Sequence, residues 1–279
     1  MNPQAKLKLG ATLLDLGSPR IMGVLNRTPD SFSDGGRFSG FDAAFAQVQR
    51  MIEEGADIID IGGESTRPGA ADVSVQEELG RVLPLIEAIR ARFPVPLSID
   101  TSKPEVMRAA VAAGTAMIND VYALRRPGAL EVAAVSGAAL CLMHMQGEPR
   151  TMQKDPHYAD VTAEVKDFLE DRAQAALDAG VSKERIVLDP GFGFGKNLEH
   201  NLILLRRLAE LATLGYPLLV GLSRKSMIGT LLGGKAVEER IQGSVAAAVI
   251  AVQNGASIVR VHDVGPTIEA LKIAVAARS

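Results

Sequence analysis

Eight short apolar runs, each followed by a segment of helical period, constrain this chain more than any other feature. The runs are RIMGVLN (20–26), ADIIDIG (56–62), VPLSID (95–100), AMIND (116–120), AALCLMH (138–144), RIVLD (185–189), YPLLVG (216–221) and SIVRVH (257–262). Most are nearly continuous in Ile, Leu and Val, the pattern of strands covered on both faces. Between them, FDAAFAQVQRMIEEGA places Ala44, Val48, Met51 and Ile52 on one helical side and ends at Gly55. SVQEELGRVLPLIEAIRARF opens with a Ser-x-x-Glu capping box, Ser74 to Glu77. KPEVMRAAVAAGT has Pro104 in its first turn and Gly114 past its end. DVTAEVKDFLEDRAQAALDAG and NLEHNLILLRRLAELATLG read as long amphipathic helices, GSVAAAVIAVQNGA as a buried one, and VGPTIEALKIAVAA closes the chain. Strand and helix alternating eight times over 279 residues predict a (β/α)8 TIM barrel, a single domain spanning 1–279. A doubly wound open sheet is the alternative architecture. The N-terminal LKLGATLLDL alternates and predicts a β-hairpin covering the barrel bottom.

At 47% apolar residues the chain has ample material for such a core. Its net charge of −3 argues against a general nucleic-acid surface, so any affinity for anions must be local. Cys141 is the only cysteine, which excludes an internal disulfide and suits a reducing compartment. No basic-plus-apolar leader and no bilayer-length apolar stretch is present, so a soluble cytoplasmic protein is expected.

Barrel enzymes gather their chemistry where strands end. Here the eight runs end at Asn26, in GGESTRPG, at Asp100, at Asn119 and Asp120, at His144, at Asp189 before PGFGFGK, at Gly221 before LSRKS, and at Arg260 and His262. Helix capping explains two or three such polar exits, Asp120 foremost. Eight converging on one mouth predict a site.

The motifs at these exits carry a resemblance. MGVLNRTPDSFSDGG, IIDIGGESTRPGA, SIDTSKPEVMRAAVAAGTAMINDV, LMHMQGEPRTMQ, DPGFGFGKN, LVGLSRKSMIG and GSVAAAVIAVQNGASIVRVHDV, in order from about residue 20 to 264, resemble the successive motifs of the dihydropteroate synthase family. The resemblance implies a dimeric (β/α)8 barrel. It implies condensation of 6-hydroxymethyl-7,8-dihydropterin diphosphate with p-aminobenzoate, giving dihydropteroate and pyrophosphate in folate synthesis. Arg27 departs from the family, which often has an apolar residue before Thr-Pro-Asp-Ser-Phe.

The chemistry suits the residues. An arylamine is unprotonated at pH 7, so no strong general base is required, in keeping with the absence of a Cys-His or Ser-His arrangement. Catalysis then consists of holding the pterin and stabilising departing charge, through a cationic pterin. A pterin edge presents adjacent N–H donors that a carboxylate accepts in pairs. The resemblance assigns that edge to Asp189, and further ring contacts to Asp100, Asn119 and Lys225. Asp100 would also stabilise the developing cation, and Met143, Phe194 and Gly221 would form walls. Arg260 and His262 alternate with Val261 and so share a direction, toward the diphosphate, and the planar Arg260 guanidinium would also lie across the pterin ring. The resemblance makes Asn26 the Mg²⁺ contact, an ion that accepts one neutral oxygen when phosphate and water complete its shell. Thr66, Arg67 and Pro68 would form the p-aminobenzoate site, with Ser223 near its carboxylate and Thr66 also near the diphosphate. Arg67 joins Asp100 and Lys225 as a catalytic candidate. The polar loop with Asp30, Phe32 and Asp34 would close over the ligands, and sulfonamides would compete with p-aminobenzoate.

Other signals carry less. GTLLGGKA (229–236) lacks the Ser/Thr after Lys235 and does not directly follow a strand, so it is no Walker A loop. GFGFGK has the wrong spacing for a dinucleotide fingerprint. His144 reads as a hydrogen-bonded structural residue and Cys141 as core. A pterin-binding methyltransferase and a catalytically silent phosphopterin-binding paralogue are the alternative functions. Neither accounts for SFSDGG, SRKS and the Arg-x-His pair together.

Overall fold

The computed structural model describes residues 6–26, 37–65, 72–149 and 151–277. The chain starts with the expected hairpin, β1 (Lys6–Leu9) and β2 (Thr12–Asp15), antiparallel and turned through Gly10 at a φ of +55°. Leu7 and Leu9 alternate with exposed Lys6 and Lys8, so one face of β1 is apolar and buried.

Eight parallel strands follow. They are β3 (Arg20–Asn26), β4 (Ile58–Gly62), β5 (Leu97–Asp100), β6 (Met117–Asp120), β7 (Ala139–Met143), β8 (Ile186–Asp189), β9 (Leu219–Val220) and β10 (Ile258–Val261). Consecutive strands from β3 to β8 pair, and β10 lies between β3 and β9. The ring closes at a narrow seam, where Leu188 bridges Leu218 and its N–H donates to the Pro217 carbonyl at 3.0 Å.

The helices are α1 (Arg37–Glu53), α2 (Val75–Arg92), α3 (Pro104–Ala112), α4 (Ala129–Val135), α5 (Val161–Asp178), α6 (Leu198–Arg206), α7 (Leu208–Ala212), α8 (Ser226–Leu231), α9 (Ile241–Gln253) and α10 (Val264–Ala276). The Ser74–Glu77 capping box forms on α2, and Pro104 occupies the first turn of α3. Asp160 caps α5 by accepting from Thr162 and Ala163. The segment read as one helix from Asn197 breaks into α6 and α7 at Arg207, whose guanidinium binds Asp160 and Glu210. Short α4 and α8 carry too few turns for a periodic signal.

The side-chain period of two sorts each strand into an outer and an inner set. Outward residues such as Ile59, Ile99, Ile118, Leu140 and Leu188 pack beneath the helices. Inward, Met22, Ile58, Met117, Cys141, Val187, Leu219 and Ile258 make an apolar floor, plugged from below by Leu7, Leu9 and Leu16. Two residues further along most of these strands the lining changes to Asp60, Asn119, Met143, Asp189, Gly221 and Arg260. The polar layer at the mouth thus stands one pleat above a dry floor.

Candidate active site at the barrel mouth

Register places the site. Asp100 of β5 lies beside Gly62 of β4 and Asn119 of β6, Met143 of β7 lies beside Asp189 of β8, and Asn26 of β3 lies beside Gly62. Adjacent strand ends therefore carry the predicted residues around one opening.

Arg260 ties the layer together. Its Nε donates to Asp60 Oδ2 at 2.6 Å and its Nη2 to Asp100 Oδ2 at 2.8 Å. Asp60 Oδ2 also accepts from Asn119 Nδ2 at 3.1 Å. That bond turns the Asn119 amide nitrogen toward Asp60. Asp60 is fully buried, and its Oδ1 has no hydrogen-bond partner among the described residues. Asp60 is not among the residues expected from the sequence, where its one signal is a lone carboxylate inside the apolar run IIDIG.

Burial dominates the ionisation of the cluster. It pushes Asp100 up to about 7, with Arg260 pulling the other way and Asp60 adding to the rise. It raises Asp189 as well, opposed by Lys225 and by the Gly191 N–H, which donates to Asp189 Oδ1 at 2.7 Å. Lys225 is brought down to about 8 by burial, partly offset by Asp189. Burial would also lower Arg260, but Asp60 and Asp100 more than compensate and hold it charged. The mouth is thus a desolvated set of two basic groups and three acids, poised for a polar, charged ligand.

Lys225 Nζ sits 4.7 Å from the centre of the Phe194 ring and donates to the Phe192 carbonyl. Met143 packs with Val121, Met145 and Met152 beside Phe194, an apolar wall. Gly221 lies beside Arg260, where a Cβ would make only ordinary contact with Arg260 Cβ, at 3.9 Å. Ser223 Oγ meets His262 Nδ1 at 3.0 Å and accepts from the His262 N–H at 3.2 Å, joining the β9 and β10 exits in a Ser-His pair that the sequence, with the two residues 39 positions apart, does not suggest. Asp120 accepts from the Tyr122 and Leu124 N–H groups, so it closes the turn after β6 and does not cap the following helix, α4, whose N-cap is Gly128. His144 is buried and hydrogen-bonded, with its ring edge on Phe168 at 4.9 Å. The second residue sequence reasoning missed is Lys196, buried beneath the β8 loop at the close of GFGFGK. Phe32, Thr66, Arg67 and Pro68, with Arg27, Asp30 and Asp34, lie outside the described residues.

Among the described residues no group of three or more His, Cys, Asp or Glu side chains could hold a metal, and no helix is long and apolar enough to cross a membrane.

The geometry agrees with known proteins. Residues 22–262 match the family model described as pterin binding enzyme. Dihydropteroate synthase from Escherichia coli (strain K12) is 56% identical over 268 residues, covering 96% of this chain and 95% of that protein. The chain belongs to the dihydropteroate synthase family. Its members are transferases of folate synthesis, and the chain is an enzyme of that class. Dihydropteroate synthase from Xanthomonas albilineans with 4-aminobenzoic acid superposes with a TM-score of 0.94 at 53% identity, covering 99% of both chains. The same enzyme with 7,8-dihydropteroate gives 0.90 at 51% identity, covering 98% of this chain and 99% of that one. A Yersinia pestis dihydropteroate synthase with a sulfonamide drug complex gives 0.93 at 53% identity, covering 98% and 99%. The methyltransferase and silent-paralogue readings find no support among these relatives.

Proposed function

We propose that this mouth expels pyrophosphate from 6-hydroxymethyl-7,8-dihydropterin diphosphate and lets p-aminobenzoate capture the resulting carbon. The supporting observation is the cluster itself: Asp100, Asn119, Asp189, Lys225 and Arg260 leave five different strands or strand exits and meet in one layer at the mouth, Asn119 and Asp189 buried and the other three partly exposed to a ligand. The whole chain, 1–279, acts as one pterin-binding domain.

Asp189 accepts paired N–H groups of the pterin edge, and Asn119 meets a neighbouring ring atom. The Asn119 nitrogen is already engaged by Asp60, so its oxygen serves the ligand as an acceptor. Lys225 donates to the carbonyl side, while Met143, Phe194 and Gly221 contact the ring faces. As the carbon–oxygen bond breaks, its electron pair leaves on pyrophosphate and a ring nitrogen shares the positive charge. Ionised Asp100 stabilises that cation, and Arg260 and His262 hold the departing anion. The arylamine lone pair then forms the C–N bond, and its nitrogen loses a proton. Thr66, Arg67, Pro68, Ser223 and Phe32 hold p-aminobenzoate, and Thr66 also serves the diphosphate. Sulfonamides, which share the arylamine and an acidic tail, compete there.

Mg²⁺ fits at Asn26. Gly62 keeps the space beside that amide open, since a Cβ there would lie 3.3 Å from Asn26 Oδ1 and 3.6 Å from Asp100 Cβ. One neutral oxygen suits an ion otherwise held by diphosphate and water. Held by Asn26, such an ion would supply positive charge to offset that of the leaving pyrophosphate. The enzyme works in the cytoplasm as a homodimer; exposed Leu231, Leu232, Ile250 and Ile273 support a partner surface.

Pyrophosphate release tests the whole reading. It is expected to require the pterin diphosphate and Mg²⁺, and to accelerate with p-aminobenzoate; release indifferent to all three would refute it. Asp189→Ala is expected to abolish pterin diphosphate binding by calorimetry, and wild-type affinity would remove Asp189 from the pocket.

A further inference from the structure

The loop from Pro190 to Lys196 has Gly191, Gly193 and Gly195 at φ of +66°, +78° and +61°. A Cβ at Gly191 would collide with the His144 carbonyl oxygen, and one at Gly195 with that of Gln146. A Cβ at Gly193 would lie 3.2 Å from Lys225 Cδ. The loop is therefore wedged between the β7 exit and Lys225, in a conformation that L side chains resist.

Beneath it lies Lys196, 2% exposed, with its ammonium 2.9 Å from the Gly191 carbonyl, 3.1 Å from the Phe194 carbonyl and 2.9 Å from His144 Nδ1. An ammonium has three donors and no acceptor, and here it has three partners. The third requires His144 Nδ1 to be bare. Burial and Lys196 itself lower His144 to about 2, so the ring is neutral and can accept. Among the described residues no carboxylate hydrogen-bonds Lys196. Burial, with Lys225 nearby, pushes the Lys196 ammonium well below its ordinary range; Asp189 and the three acceptors oppose that loss of the proton, and the proposed chemistry makes no direct use of this group. The same loop holds Lys225 from its other side, through the Phe192 carbonyl and the Phe194 ring.

We propose that Lys196 is a positioning residue for the reaction: through the Gly191 and Phe194 carbonyls, with His144 as its third anchor, it fixes the loop that holds the Lys225 ammonium and the Phe194 ring against the pterin. The inference rests on the reading of Lys225 and Phe194 as pterin contacts. Lys196 itself touches neither substrate.

The test compares Lys196→Met with Lys225→Met in the full-length enzyme. Methionine fills a similar narrow channel but removes all three donors. Lys196→Met is expected to raise the KM for pterin diphosphate by about tenfold, the size of one lost positioning interaction. The KM for p-aminobenzoate should stay within about twofold of wild type, on the same free-energy scale. A purely structural lysine would lower the folded fraction and leave both KM values unchanged, and that result overturns the proposal. So does an equal rise in both. Should Lys196→Met fail to fold, Lys196→Gln, which keeps a donor but loses the charge, takes the same measurement. If Lys225→Met also leaves the pterin KM unchanged, the pocket reading fails with it. If Lys225→Met raises that KM and Lys196→Met does not, only the role of Lys196 falls.

Discussion

At the scale of single residues, Asp100 shows a conflict between function and stability. Its carboxyl is raised from 3.8 to about 7 in the folded protein. The folded state therefore holds this proton more tightly than the unfolded chain does. The associated stability is complete below about pH 4 and is lost as pH rises through about 7. Asp100→Asn removes an ionisation penalty of roughly 2–4 kcal/mol, and should raise the melting temperature at pH 8, with the gain fading toward pH 4. Melting curves at several pH values check this; a gain that grows at low pH would contradict the sign. The same variant should lose activity, because the neutral amide cannot stabilise a cation. In the wild type, kcat/KM should fall below about pH 7 as Asp100 protonates and above about pH 8 as Lys225 deprotonates. Asp100→Asn should abolish the acidic limb. Asp100, Asp189, Lys225 and Arg260 were legible in the sequence because each sits where an apolar run or its motif ends. Asp60 and Lys196 were not, because their importance lies in partners 200 and 52 residues away, Arg260 and His144.

At the scale of elements, loops are held more tightly than their composition suggests. Gly137 and Gly191 both have positive φ, but only Gly191 is crowded. Gly137→Ala should cost about 1–2 kcal/mol of backbone strain. Gly191→Ala adds a collision with β7, should cost about 2–5 kcal/mol, and should weaken pterin binding. Denaturant titrations of the two variants separate the terms, and equal losses would contradict the packing argument. Beside the second loop, Lys103 binds Glu64 and Glu78, each at 2.5 Å, and Glu78 is fully buried. Lys103→Met strands the Glu78 charge and should destabilise by about 3–5 kcal/mol. The capping box, the first-turn proline and the hairpin were readable because each is a local rule. The break at Arg207 was not, since it coincides with a contact to another helix.

For the whole molecule, the alternation of runs and helical segments predicted the barrel. The shortness of β9 and the single-bridge seam were hidden, because YPLLVG reads as an ordinary strand. The barrel separates its tasks along its axis. Leu9 at the bottom is 1% exposed and lies in the floor cluster, with no predicted ligand contact nearby. Leu9→Ala should cost about 2–5 kcal/mol with both KM values unchanged, and altered substrate affinity would show that the floor and mouth are coupled.

Cys141 belongs to that floor, 1% exposed, its thiol pushed well up by burial. The chain thus carries a built-in clock. A maleimide or aromatic disulfide can label it only when the strands around it part. The labelling rate counts those openings, and each ligand that seals the mouth should slow the count by a factor that tracks its binding strength.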